Sequence, residues 1–406
     1  MNEIDVNRAE APMLVQKPVI DRETRPGMDV TRVSFPTHQE LHLSLRPIPG
    51  ERPLAMVSRL AGWLKDCDAT VVRHEVFGSL TVYAETMRAL RRAVDEFAWP
   101  VTWVEGKTTS KLAIAGMHVF AVAGTRVETL YQEGRTVGRI FSDGCFKHCF
   151  LGGISSLKPN PSKSDECREV LERLADILST AGMDMTHVVR TWFFLDDILG
   201  WYGDFNRVRN EFFHRKKVFH GLVPASTGIG GRNPAGSALL AGLWAVQPVN
   251  ELATVREVGS PLQGSAMKYG SAFSRAVLME GGGWRRLLVS GTASIEPGGR
   301  SVHGGDLTRQ IRTSREVTQA LLESCGFDSD DVTRATGYLK DRQDALSAGW
   351  CGGQSRQWVI VPADICRPEL LFEIELDALR TTIRRSEVRF KGKNELSRPD
   401  IDEQQH

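Results

Sequence analysis

Ala181-Gly-Met-Asp-Met-Thr-His-Val-Val-Arg190-Thr-Trp-Phe-Phe-Leu-Asp196 and Cys325-Gly-Phe-Asp-Ser-Asp-Asp-Val-Thr-Arg334-Ala-Thr-Gly-Tyr-Leu-Lys-Asp341 are two versions of one phrase. Each has a glycine that ends a helix, a short polar turn, and a strand that carries Val-x-Arg. A fainter third version is Cys67-Asp-Ala-Thr-Val-Val-Arg73-His-Glu-Val-Phe77. Internal repetition decides the fold, because a unit copied along one chain can pack as separate subunits would. Arg73, Arg190 and Arg334 mark equivalent strands.

The flanks repeat as well. An amphipathic helix precedes each strand, with apolar residues three and four apart. These are Val57, Leu60, Ala61 and Leu64, then Val170, Leu171, Leu174, Ile177 and Leu178, then Val317, Leu321 and Leu322. Second helices follow around Met87–Phe97 and Phe205–Phe212. The third copy's equivalent, around Asp344–Gly352, is shorter and rich in glycine. Apolar strands close the copies at Leu112–Val122, Ser237–Val246 and Leu370–Leu379. Paired strands open the second copy (Val137–Phe141 with Phe146–Ile154) and the third (Phe273–Met279 with Arg286–Ser294). The first copy lacks most of this pairing. The unit reads β-β-α-β-α-β, an α+β layer. Expected boundaries are a flexible N-terminal tail at 1–36, a degenerate unit at 37–126, units at 127–250 and 251–380, and a charged C-terminal tail at 381–406.

Composition narrows the function classes. The 406 residues carry a formal net charge of +1, so nothing attracts nucleic acid or an anionic membrane at long range. No run of about 18 apolar residues spans a bilayer. The N-terminal Met-Asn-Glu-Ile-Asp-Val-Asn-Arg lacks a secretory core, which makes cytoplasm the expectation. Seven scattered cysteines argue against a disulfide framework. Cys145, His148 and Cys149 invite a zinc reading, but strand alternation puts His148 on the opposite face from the two thiols, and no second pair completes four ligands.

These residues resemble the Rid/YjgF superfamily. The pieces are Val289-Ser-Gly-Thr292, Gly304-Gly-Asp306, Gln310, Gly326, Tyr338-Leu-Lys-Asp341 and Phe372-Glu-Ile-Glu375. The resemblance implies three β-β-α-β-α-β units in an intrachain pseudo-trimer, with sites between neighbours. A narrower likeness is to the chorismatase branch. It rests on Arg190-Thr-Trp192, Pro224-Ala-Ser-Thr-Gly-Ile-Gly230, Tyr269-Gly, Phe273-Ser-Arg275, Val302-His-Gly-Gly-Asp306 and Ala363-Asp-Ile-Cys-Arg367-x-Glu-Leu-Leu-Phe-Glu373-Ile-Glu375. That likeness implies cleavage of the enol-pyruvyl ether of chorismate or a related small carboxylate, with no cofactor and no metal. The alternatives are imine or enamine hydrolysis and non-catalytic binding of a small molecule. Imine hydrolysis in that superfamily uses a Pro-Ala-Arg triplet. Here the matching triplets are Pro224-Ala-Ser226 and Pro362-Ala-Asp364, both without the arginine.

Opening an enol ether needs a proton at its methylene, hence an acid that stays protonated near neutrality. A glutamate in an apolar wall achieves this. Glu373, between Phe372 and Ile374, fits by motif; Glu375 shares its strand face. Without the motif, the pattern alone favours reading both as solvent-facing residues of a strand with one wet face. Arg190, Arg275 and Arg367 are candidate carboxylate clamps. The occurrence of Arg73 and Arg334 at the Arg190 position offers the competing reading of a structural arginine. Tyr269 is a candidate hydrogen-bond donor. Ser226–Gly231, with Gly230, reads either as an anion-cradling loop or as a turn. By resemblance, Cys366 sits where the branch making 3-hydroxybenzoate has a cysteine; otherwise it is a small buried thiol. Expected partners are a carboxylate-bearing substrate, no nucleic acid and no membrane, with the chain a monomer or a low-order homo-oligomer.

Overall fold

The computed structural model describes residues 17–94, 96–106, 113–157, 161–340 and 357–382. The first unit runs β1 (Val19–Arg25), β2 (Met28–Ser34), β3 (Gln39–Leu45), α1 (Pro53–Asp66), β4 (Thr70–Gly78), α2 (Tyr83–Ala93), β5 (Val101–Val104) and β6 (Ile114–Ala123). The second runs β7 (Glu128–Gln132), β8 (Arg135–Ser142), β9 (Phe146–Ser155), α3 (Lys163–Thr180), β10 (Val188–Leu195), α4 (Ile198–Arg215), β11 (Ala225–Gly230) and β12 (Leu239–Pro248). The third runs β13 (Thr254–Val258), β14 (Ala276–Gly281), β15 (Trp284–Ala293), α5 (Leu307–Ser324), β16 (Val332–Leu339), β17 (Trp358–Pro362) and β18 (Phe372–Thr381).

The strand order is the same in all three six-stranded sheets: β1-β2-β3-β6-β4-β5, β7-β8-β9-β12-β10-β11 and β13-β14-β15-β18-β16-β17. The chain is a single-chain pseudo-trimer of α+β units. Two expectations need correction. Residues 19–34 are not a tail but two paired strands, so the first unit has a complete sheet. Each unit also has an outer edge strand and a short parallel strand beyond the β-β-α-β-α-β reading. The expected second helix of the third unit, and the C-terminal tail beyond Thr382, lie outside the described residues.

Helices pack on one face of each sheet and form a separate core there. Leu60 and Leu90 sit in the first, Leu171 and Phe205 in the second, Leu321 and Ile374 in the third. The opposite faces meet in one central core that draws Phe77 and Phe120, Trp192 and Trp244, and Val277 and Tyr338 from the three units. The short parallel strand of each unit lies against the next unit's sheet: β5 on β9, β11 on β15, β17 on β6. No helix among the described residues is long and apolar enough to cross a membrane.

The repeated Val-x-Arg has a structural meaning. In every unit the ladder to the closing strand slips between that valine and that arginine, at Val71/Arg73, Val188/Arg190 and Val332/Arg334. An irregularity of this kind re-aims the side chain that follows it. All three arginines turn toward the shared centre and lie over the ring of Trp192, their guanidinium carbons 3.6, 4.9 and 5.6 Å from its centroid for Arg73, Arg190 and Arg334.

Candidate active site

The cleft of interest opens between the second and third units. Beside it the two units are joined where the Ser274 amide donates to the Pro224 carbonyl at 3.1 Å. The walls include Tyr202, Arg209, Tyr269, Arg275, Arg367 and Glu373, around roughly 490 Å³ of non-protein space, mouth included.

Glu373 stands on β18, and its side chain is almost wholly buried. Its carboxyl makes no hydrogen bond with any described residue. Burial, reinforced by the neighbouring Glu375 charge, pushes its pKa up to about 8, against the pull of Arg190 and Arg275. Opposite it the β15–β18 ladder slips between Val289 and Thr292, leaving Gly291 facing the acid. A Cβ on Gly291 would come within 2.0 Å of a Glu373 oxygen, so the acid occupies space that only glycine vacates.

Cations and hydroxyls line the rest of the cleft. Arg275 is 4% exposed; its Nε donates to the Gly264 carbonyl at 2.9 Å and its Nη2 to the Tyr269 hydroxyl at 2.7 Å. Arg367 Nη1 is held by the Gly299 carbonyl and Ser301 Oγ at 2.8 and 3.0 Å. Arg209, on α4, is 2% exposed; its Nη2 donates to Asn206 at 2.8 Å and its Nε has no partner among the described residues. Among the described residues no carboxylate pairs with Arg209 or Arg275. Burial pushes the Cys366 thiol up to about 12, with the Glu373 charge adding to it, so it is no nucleophile near neutrality.

Five expected site residues therefore share one cleft: Glu373, Arg275, Arg367, Tyr269 and Cys366. Three do not. Arg190 lies behind the acid, fully buried, with Nη2 on Glu375 at 2.6 Å. Glu375 cannot take a ligand, because Arg334, Thr336, Tyr338, Arg190, Trp192 and Thr227 already occupy its two oxygens. Gly230 packs against Asp364, and Ala225–Gly230 is a parallel strand rather than a loop or turn. Arg209 and Tyr202 were missed by sequence reasoning. The available signal was Arg209's place between Phe205 and Phe212 on the apolar stripe of a helix.

Residues 155–232 match the family model described as Endoribonuclease L-PSP. A RutC family protein from Pyrococcus horikoshii is 30% identical over 99 residues, which covers 23% of this chain and 79% of that protein. The chain belongs to the RutC family of Rid/YjgF proteins. The segment of this RutC family chain that matches the model runs from the end of β9 past β11, and so includes the Arg190 strand and one wall of the cleft. Among solved structures, a chorismatase is similar at a TM-score of 0.57 and 20% identity, covering 76% of this chain and 93% of that one. A putative endoribonuclease from Thermotoga maritima matches at 23% identity and a TM-score of 0.26, over 31% of this chain and 98% of its own. The chorismatase likeness is one of fold.

Proposed function

We propose that the chain is a cofactor-independent enzyme that cleaves the enol-pyruvyl ether of chorismate or a closely related dicarboxylate. The observation that carries this reading is the buried Glu373 carboxyl in a cleft with two buried guanidinium groups that no carboxylate among the described residues pairs with. Buried charges ordinarily find counter-ions. A cleft holding Arg209 and Arg275 beside a neutral acid accepts a dianion, and chorismate has two carboxylates.

In this reading Arg275, Arg367 and Arg209 hold the carboxylates. Glu373 gives its proton to the exocyclic methylene, which becomes a methyl group, and the ether carbon becomes an oxocarbenium ion. Water adds at that carbon; the resulting hemiketal loses the ring alcohol and leaves pyruvate with a dihydroxycyclohexadienoate. Alternatively the ring eliminates and aromatises to a hydroxybenzoate as pyruvate departs. Positioned proton transfer of this type contributes about 10²–10⁴-fold. The chorismatase fold likeness supports the substrate, and the absence of an arginine from Pro224-Ala-Ser226 weighs against imine hydrolysis.

The test incubates purified protein with chorismate, and separately with a 2-iminoacid generated in situ, and identifies products by mass. Pyruvate with a hydroxybenzoate or a diol from chorismate supports the reading. Consumption of the imine alone would overturn it.

A further inference from the structure

The three arginines of the Val-x-Arg repeat meet two glutamates at the pseudo-threefold centre. Arg73 donates to Glu75 at 2.7 Å, Arg334 to Glu75 at 3.0 Å and also to Glu375, and Arg190 to Glu375 at 2.6 Å. Thr227 of β11 joins this cluster to the cleft. Its Oγ1 donates to Glu375 at 2.5 Å, and accepts from Arg190 at 2.7 Å and from the Gly291 amide at 3.1 Å. Gly291 is the residue against which the Glu373 carboxyl lies. A continuous set of contacts thus runs from the ion cluster to the acid, though no cluster residue lines the cleft.

We propose that Glu375 and Thr227 are positioning residues for Glu373, forming a buried relay that holds the acid in its protonated form. Two physical effects act. Glu375 is a fixed negative charge one strand repeat from Glu373 on the same face, and a like charge disfavours ionisation of its neighbour. Thr227 engages the Gly291 amide, the backbone donor beside the acid, so that amide does not stabilise a Glu373 carboxylate. The other groups facing Glu373 are Tyr202 and Arg209 from α4, Tyr269 and Arg275 from the segment before β14, Cys366 and Arg367 from the loop before β18, and Arg190 from β10. Burial raises Tyr202, Tyr269 and Cys366, leaving Glu373 to titrate near neutrality in this set.

The proposal rests on Glu373 being the acid, but its test needs no substrate. The full chain is labelled with glutamate carrying ¹³C at the side-chain carboxyl, and the Glu373 signal, identified by its loss in Glu373→Gln, is titrated from pH 5 to 10. Glu375→Gln is expected to lower the midpoint by about 1 pH unit or more. Thr227→Val, which is isosteric, is expected to lower it by about half a unit, and Thr227→Ser to restore it. A folded Glu375→Gln whose midpoint stays within about 0.2 unit of wild type overturns the relay. Should that variant not fold, an unshifted Thr227→Val midpoint overturns it equally. The expected midpoints without chorismate turnover would uphold the relay and sink only the substrate.

Discussion

Glu373 pays for its proton in stability. An unfolded glutamate ionises near 4.3, whereas the folded group titrates at about 8, so between these values the unfolded state binds fewer protons. This contribution is full below the unfolded value and is lost as pH rises toward about 8. Glu373→Gln should therefore melt a few degrees higher than wild type at pH 8 while losing about 10²–10⁴-fold in kcat, read by calorimetry and by pyruvate release. Arg275→Met should raise KM by about 10–100-fold, the value of a charge-assisted contact. The site was partly legible in sequence. The stretch Ala363–Glu375 located Cys366, Arg367 and Glu373, three residues of one short segment that all line the cleft. Arg190 and Glu375 misled, because motif and alternation name a strand face without saying that the face is sealed by two other units.

Elements separated cleanly into legible and illegible ones. α1, α3 and α5 announced themselves through apolar spacing, and the strands carrying Val-x-Arg through repetition. β1, β7 and β13 did not, because each is a sheet edge with mostly exposed or half-exposed residues and no sustained alternation. β5, β11 and β17 are short strands of 4, 6 and 5 residues placed by parallel pairing, which leaves no local signature. Caps offer a test at this scale. Asp306 accepts from the Arg309 amide at the start of α5, and Asp306→Ala should cost about 1 kcal/mol in chemical denaturation. Arg52 begins α1 with no side-chain cap, and Arg52→Ser should gain about 0.5–1 kcal/mol.

At the scale of the whole molecule, the shared central core means no unit unfolds without exposing faces of the others. The first unit, legible only as a degenerate copy, carries His38, His42, His74 and His118 buried, and burial lowers all four, His74 to about 3. Unfolded histidines accept protons near 6.5 while these refuse them, so the unfolded state binds more protons as pH drops below 6.5. The melting temperature should fall by several degrees from pH 7 to pH 5 in one transition spanning all three units; separate melting of the first unit would contradict the shared core. The central claim, a neutral carboxylic acid at work in the cleft between the second and third units, meets its most direct test in the pH profile of pyruvate release from chorismate. Wild type should hold a plateau below about 8 and fall roughly tenfold per pH unit above it, with Glu373→Gln under about one hundredth of that plateau throughout. No pyruvate at any pH, or a Gln variant as fast as wild type, would contradict it.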